Sequence, residues 1–152
     1  MILSVLLYLP GKILNLLTWV KFMRYVIEGV PVPLQRARFV ERHCWDAQRQ
    51  LKTNLKIVLD GQHDGRPFYS GPIRMEFWFF FPFKQTMSES KKVLGYGRSH
   101  IFRPDLSNLV KMYEDIATGI LYQDDCIIAE IVARKCYDSN PRTEFEIIQL
   151  EK

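Results

Sequence analysis

Three cysteines, Cys44, Cys126 and Cys136, are too few and of the wrong parity for a disulfide framework, and none belongs to a CxxC pair. Such usage suits a reducing, cytoplasmic setting, where these residues are expected to be core thiols. No tetrahedral zinc site is suggested, because His43 and Cys44 are adjacent while Cys126 and Cys136 stand ten residues apart, poor spacing for its ligands. There is no glycine-rich loop to cradle nucleotide phosphates, no internal repeat and no low-complexity tract. Nor does any uninterrupted apolar run reach the roughly 20 residues that cross a bilayer. The nearest, residues 1–22, is broken by Pro10-Gly11-Lys12, Asn15 and Lys21 and lacks the flanks of a secretory signal. It is read as an apolar extension ahead of a native start at Met23, leaving residues 23–152 as one domain. An interfacial helix at Ile13–Phe22 and a dimer-contact arm are the rival readings, and stable membrane insertion is not expected.

What the chain does contain is apolar residues, 47%, and a basic surplus: 21 Lys and Arg against 17 Asp and Glu, a net charge of +4 and a pI near 9.0. The first suffices for one domain's core, and the second points to an anionic partner. The surplus is local. One cluster comprises Arg36, Arg38, Arg42, Arg49, Lys52 and Lys56; the other comprises Lys91, Lys92, Arg98 and Arg103. Part of the first falls on an expected helix, Trp45–Leu59, where charges can simply solvate an outer face. The second reads as a mobile loop, Ser88–Gly97, with its flank, and it carries positive charge toward Asp105. His100 is close enough in sequence to join it.

Between Asp105 and Ile120 the apolar residues Leu106, Leu109, Val110, Tyr113, Ile116, Ala117 and Ile120 recur at helical spacing. Pro104 precedes the helix, Asp105 suits its N-cap, and Gly119 suits its stop. The other face carries Ser107, Asn108, Lys111 and Asp115. An extended return from Gly119 covers roughly 23 Å, enough to bring Asp124 and Asp125 back to the helix start across a helix of about 20 Å. Carboxylates gathered beside a phosphate site call for a hard cation, and Mg²⁺ is the natural one. Asp105 can equally be a mere cap, Asp124-Asp125 a polar turn, and Lys111 a solvated partner of Asp115.

Strands are expected at Tyr25–Gly29, Ile73–Phe83, Cys126–Cys136 and Glu144–Leu150, and helices at Trp45–Leu59 and Asp105–Thr118. The expected fold is mixed α+β, a small sheet of about four strands with two main helices in the order β-α-β-α-β-β. Within Ile73–Phe83, Ile73, Met75, Phe77, Phe79 and Phe81 share one face, and Trp78 and Phe80 make the other apolar, so both faces are expected to be covered. Core packing is favoured for these aromatics over a role as wedges in opened DNA. Asp138–Arg142 is expected to join the last two strands as a hairpin.

The string RPDLSNLVK, an acidic pair after a short helix, and a strand ending near Lys135 and Tyr137 resemble the RusA family of Holliday-junction resolvases. The likeness extends upstream to YVIEGVPVPLQRAR at Tyr25–Arg38 and to the aromatic strand Gly71–Phe83, covering about Met23 to Leu150. The resemblance implies a RusA-like fold and a Mg²⁺-dependent endodeoxyribonuclease. That enzyme would resolve four-way DNA junctions by paired phosphodiester hydrolysis in recombination and repair, working as a homodimer. It implies metal-binding aspartates at Asp105 and Asp125, with help from Asp124 and Ser107, and a catalytic lysine at Lys111. Arg36, Arg38, Lys91, Lys92, Arg98, His100 and Arg103 are then the expected DNA contacts. Where the family often carries a second aspartate this chain has Ser107, a weaker ligand for a hard cation. The alternative is therefore a branched-DNA-binding protein of the same fold with weak or no cleavage.

Overall fold

A computed structural model describes residues 22–35, 38–40 and 43–151 of the chain. The N-terminal stretch 1–21, Arg36 and Arg42 lie outside the described residues, as do the side chains of Arg38 and Cys44. The architecture is α+β: a four-stranded mixed sheet with three helices. In chain order the elements are β1 (Phe22–Glu28), β2 (Arg38–Val40), β3 (His43–Trp45), α1 (Arg49–His63), β4 (Ile73–Phe81) and α2 (Glu89–Gly95). They are followed by α3 (Leu106–Ala117), a 3₁₀ turn (Asp125–Ile127), β5 (Ile128–Tyr137) and β6 (Arg142–Gln149).

The most apolar strand occupies the middle of the sheet. The order is β1-β6-β4-β5, with β4 antiparallel to β6 and parallel to β5. Ile73, Met75, Phe77, Phe79 and Phe81 are buried on one face of β4, where they meet Leu59 of α1 and Leu109, Met112, Tyr113 and Ile116 of α3. Each such side chain contributes about 1.5–3 kcal/mol by leaving water, so this layer fixes where α3 lies.

The opposite face departs from expectation. Trp78 and Phe80 are only half-buried there, each under a guanidinium, Arg134 at 5.6 Å and Arg142 at 3.9 Å. Around them run ion pairs: Arg24 with Glu144, Arg74 with Glu76 at 2.6 Å, and Arg142 with Glu144 at 2.5 Å. No described helix covers this face; cation–aromatic contacts and paired charges take the place of a second apolar layer.

Three further expectations are corrected. β5 and β6 do not form a hairpin, because β4 lies between them; the turn 138–142 crosses the end of β4, where the Asp138 N–H donates to the Phe81 carbonyl at 2.9 Å. Trp45 ends a short strand, and α1 begins four residues later at Arg49. Within the expected mobile loop, residues 89–95 are helical, and Gly95 gives the reason they lie close to the sheet. A Cβ there would meet Phe83 at 2.7 Å.

Candidate active site

The helix that carries the candidate residues is held by its buried arc, Leu109, Val110, Met112, Tyr113, Ile116 and Ala117. Tyr113 adds a buried anchor, its hydroxyl accepting from Thr143 of β6 at 2.8 Å. At its start, Lys135 of β5 donates to the carbonyls of Phe102 and Pro104, both at 2.7 Å. One ammonium thus clamps the segment that delivers Asp105. At its end Thr118 caps the helix and Gly119 turns the chain with φ +81°.

Asp105 occupies the N-cap position, but its side chain makes no capping hydrogen bond and is exposed. Reading this residue as a cap alone therefore does not account for its carboxylate. Lys111 is exposed and makes no hydrogen bond or salt bridge among the described residues. The pairing with Asp115 does not form, because Asp115 instead meets Lys52 of α1 at 3.3 Å. Ser107, Lys111 and Glu114 line an open cleft of about 450 Å³ between α3 and β5, with Ile131 and Ala133 on the opposite wall.

Asp125 stays at the far end of this cleft. The expected extended return does not occur, because residues after α3 coil: the Gly119 N–H donates to the Tyr122 carbonyl at 2.8 Å, and Asp125 itself opens the 3₁₀ turn. Strand β5 then runs back so that its far end, at Lys135, reaches the start of α3. Asp105 and Asp125 thus belong to opposite ends of α3, whose 12 residues span about 18 Å. Among the described residues no three His, Cys, Asp or Glu side chains come together in one chain as a metal-holding group.

Two acidic neighbours of Asp125 differ in role. Asp124 accepts from the Cys126 N–H at 2.8 Å, which holds its carboxyl below the usual range and engages it in the turn. Glu114 has its carboxyl pushed up, first by burial and then by the charges of Asp125 and Asp115, with Lys111 opposing. Glu114 was not anticipated from sequence, although it stands one turn beyond Lys111 and two beyond Ser107 on the same face, a spacing that could have found it. Lys135, noted only as the basic end of a strand, is the other omission.

Of the expected DNA contacts, Lys91, Arg98 and Arg103 are exposed, whereas Lys92 pairs with Glu89 at 2.6 Å. His100 is packed against Phe81, with ring centroids 4.4 Å apart, and against Tyr137 at 4.9 Å. Burial and then Lys135 hold its pKa below the usual value, so the ring is uncharged at neutral pH. In the first basic cluster, Lys52 pairs with Asp46 at 3.2 Å as well as with Asp115, and Lys56 donates to the Thr118 carbonyl at 3.3 Å. Cys136 is buried as expected; Cys126 is instead an exposed residue of the 3₁₀ turn.

The profile of the family described as endodeoxyribonuclease RusA matches residues 28–148. The chain is also 26% identical over 134 residues to the uncharacterized protein YqaN of Bacillus subtilis (strain 168), a match covering 82% of this chain and 94% of that protein. With β4, α3, the acidic turn and β5 inside the matched span, the chain belongs to the RusA endodeoxyribonuclease family.

Proposed function

We propose that the chain is a Mg²⁺-dependent endonuclease that resolves four-way DNA junctions, acting as a homodimer whose two hydrolytic centres each draw on both protomers. The carrying observation is the placement of Asp105 and Asp125 at opposite ends of one helix, with Lys111 between them and neither carboxylate engaged by a cation among the described residues. Around a two-fold axis, the Asp105 end of one α3 can face the Asp125 end of the other. A symmetric dimer then offers two equal centres to a substrate that needs two symmetric cuts. The cleft face of β5, an edge strand that exposes Ala129 and Ile131 there, supports such a contact.

The donor set suits a hard cation, since Asp105, Asp125 and the Ser107 hydroxyl offer oxygen only. When bound, Mg²⁺ supplies a polarised phosphoryl group and a water of lowered pKa. The chain's own residues do the rest. Asp105 and Asp125 would hold the ion, and Lys135 keeps the Asp105 segment in place through two carbonyls. Lys111 brings its ammonium to the non-bridging oxygens, where negative charge grows as the bond breaks. Exposed Arg98, Arg103 and Lys91 attract the strands, so affinity falls steeply with added salt.

Ser107, exposed in the cleft where a carboxylate would add a ligand, favours a second reading: a branched-DNA-binding protein that cuts weakly. Incubating the protein with a synthetic four-way junction, with and without Mg²⁺, separates the two. Paired nicks that need Mg²⁺ and vanish in Asp105→Asn support the nuclease. Tight binding without nicks, converted to cutting by Ser107→Asp, supports the second reading.

A further inference from the structure

Beside the Asp105 end of the cleft lies a second cavity, of about 380 Å³, which the hydrolytic chemistry does not use. Its floor is Phe83, Met87 and Tyr137, with Phe83 and Tyr137 stacked at 5.4 Å. Its walls are Leu94 of α2 together with Ile101 and Phe102 of the segment leading to Asp105. These walls are unusually open to water for such side chains: Leu94 is 68%, Ile101 81% and Phe102 55% exposed. Large apolar groups displayed together in this way mark a binding surface rather than a core.

The charges around the cavity identify its occupant. Lys91 and Arg98 line it and Lys84 lies over the Phe102 ring at 5.1 Å, none of the three has a salt bridge among the described residues, and no carboxylate is in the lining. A second copy of the chain fits poorly, because an isologous contact would set these cations against their own copies. A flat apolar ring attached to a phosphate chain fits well.

We propose that this cavity takes an unpaired nucleobase from the branch point, held against Phe102 and Ile101, while Lys91 and Arg98 meet the flanking phosphates. The inference rests on the branched-DNA reading above and extends it: selection of branched over linear DNA comes from a base that only a distorted or unpaired site can release. Extrusion costs least where stacking is already broken, and stacking on an aromatic ring is sequence-tolerant. Phe102 stands three residues before Asp105, and its carbonyl is held by the same Lys135 ammonium as that of Pro104. A base seated there fixes the strand leading to the cut.

The test is a thermodynamic cycle measured on the full chain without divalent metal. Dissociation constants are obtained for an intact four-way junction and for one with abasic residues at the branch point, using the wild type, Phe102→Ala and Ile101→Ala. The expected result is about a tenfold weakening on the intact junction for Phe102→Ala, a smaller loss for Ile101→Ala, and less than about twofold for either on the abasic junction. Equal losses on both junctions, or none on either, overturn the proposal. So does a variant that sediments as a monomer where the wild type is a dimer, since the cavity then belongs to an interface between copies. A wild type that binds the junction no tighter than linear duplex would instead remove the branched-DNA reading itself.

Discussion

Two charged regions of this small domain behave in opposite ways. On the sheet face away from α1 and α3, Arg24 pairs with Glu144 and Glu146, Arg74 with Glu76 and Glu130, and Arg142 with Asp138 and Glu144. In the cleft of α3 and β5, Asp105 and Lys111 make no hydrogen bond or salt bridge among the described residues, and Asp125 has no cationic partner there. Charges that satisfy one another fasten strands together. Charges left exposed and unpaired are free to take an outside partner, so the second region is where chemistry is to be sought.

The contrast is broken most sharply by Asp105→Asn or Asp125→Asn. Each is expected to lower junction cleavage by about a thousandfold or more, because the ion's stabilisation of the transition state amounts to several kcal/mol. Thermal unfolding should hardly move, since neither carboxylate supports the fold. Lys111→Ala should lower the cleavage rate by about 10²–10³ at saturating Mg²⁺ while leaving the dissociation constant for the junction nearly unchanged, which single-turnover kinetics and binding titration together check.

The paired region should answer in the other currency, stability. Glu144 is 5% exposed and holds both Arg24 and Arg142, so Glu144→Ala leaves two guanidinium groups without their shared acceptor. Because Arg24 is half exposed and keeps Glu146 while Arg142 keeps Asp138, a loss of about 1–2 kcal/mol is expected by denaturant titration, with catalysis per folded molecule preserved. The smallest effect is one of pH. Backbone N–H donors hold Asp46 and Asp138 below the usual carboxylate range, through Gln48 and Asn140 respectively. Their contribution is fully present above the unfolded pKa and is lost as pH falls through the lower folded values. Removing it by Asp138→Asn should flatten the acid limb of the stability curve slightly.

Much of this arrangement was legible in the sequence. The helical spacing of Leu109, Val110, Tyr113 and Ile116 placed α3 and its open face, and the alternation in β4 placed the core, because burial obeys the periods 3.6 and 2. Strand order was less legible: Asp138–Arg142 has the composition of a hairpin turn, yet β4 lies between β5 and β6, a pairing between distant stretches that local composition does not display. The reach from Asp105 to Asp125 was misjudged because chain length gives the longest possible span, whereas Gly119 to Ile127 coils. Lys135 was passed over because its significance lies in its bonds to the Phe102 and Pro104 carbonyls, which no single stretch of chain displays, whereas Glu114 was within reach of the helical spacing that found Ser107 and Lys111.

The most direct test of the account mixes two inactive proteins. Asp105→Asn and Asp125→Asn are purified separately, shown to be inactive, then allowed to exchange protomers and incubated with a four-way junction and Mg²⁺. A centre built from both protomers predicts that mixed dimers regain one intact site and nick a single strand of the junction. If exchange is demonstrated and no nicking returns, the placement of each hydrolytic centre across two protomers is contradicted.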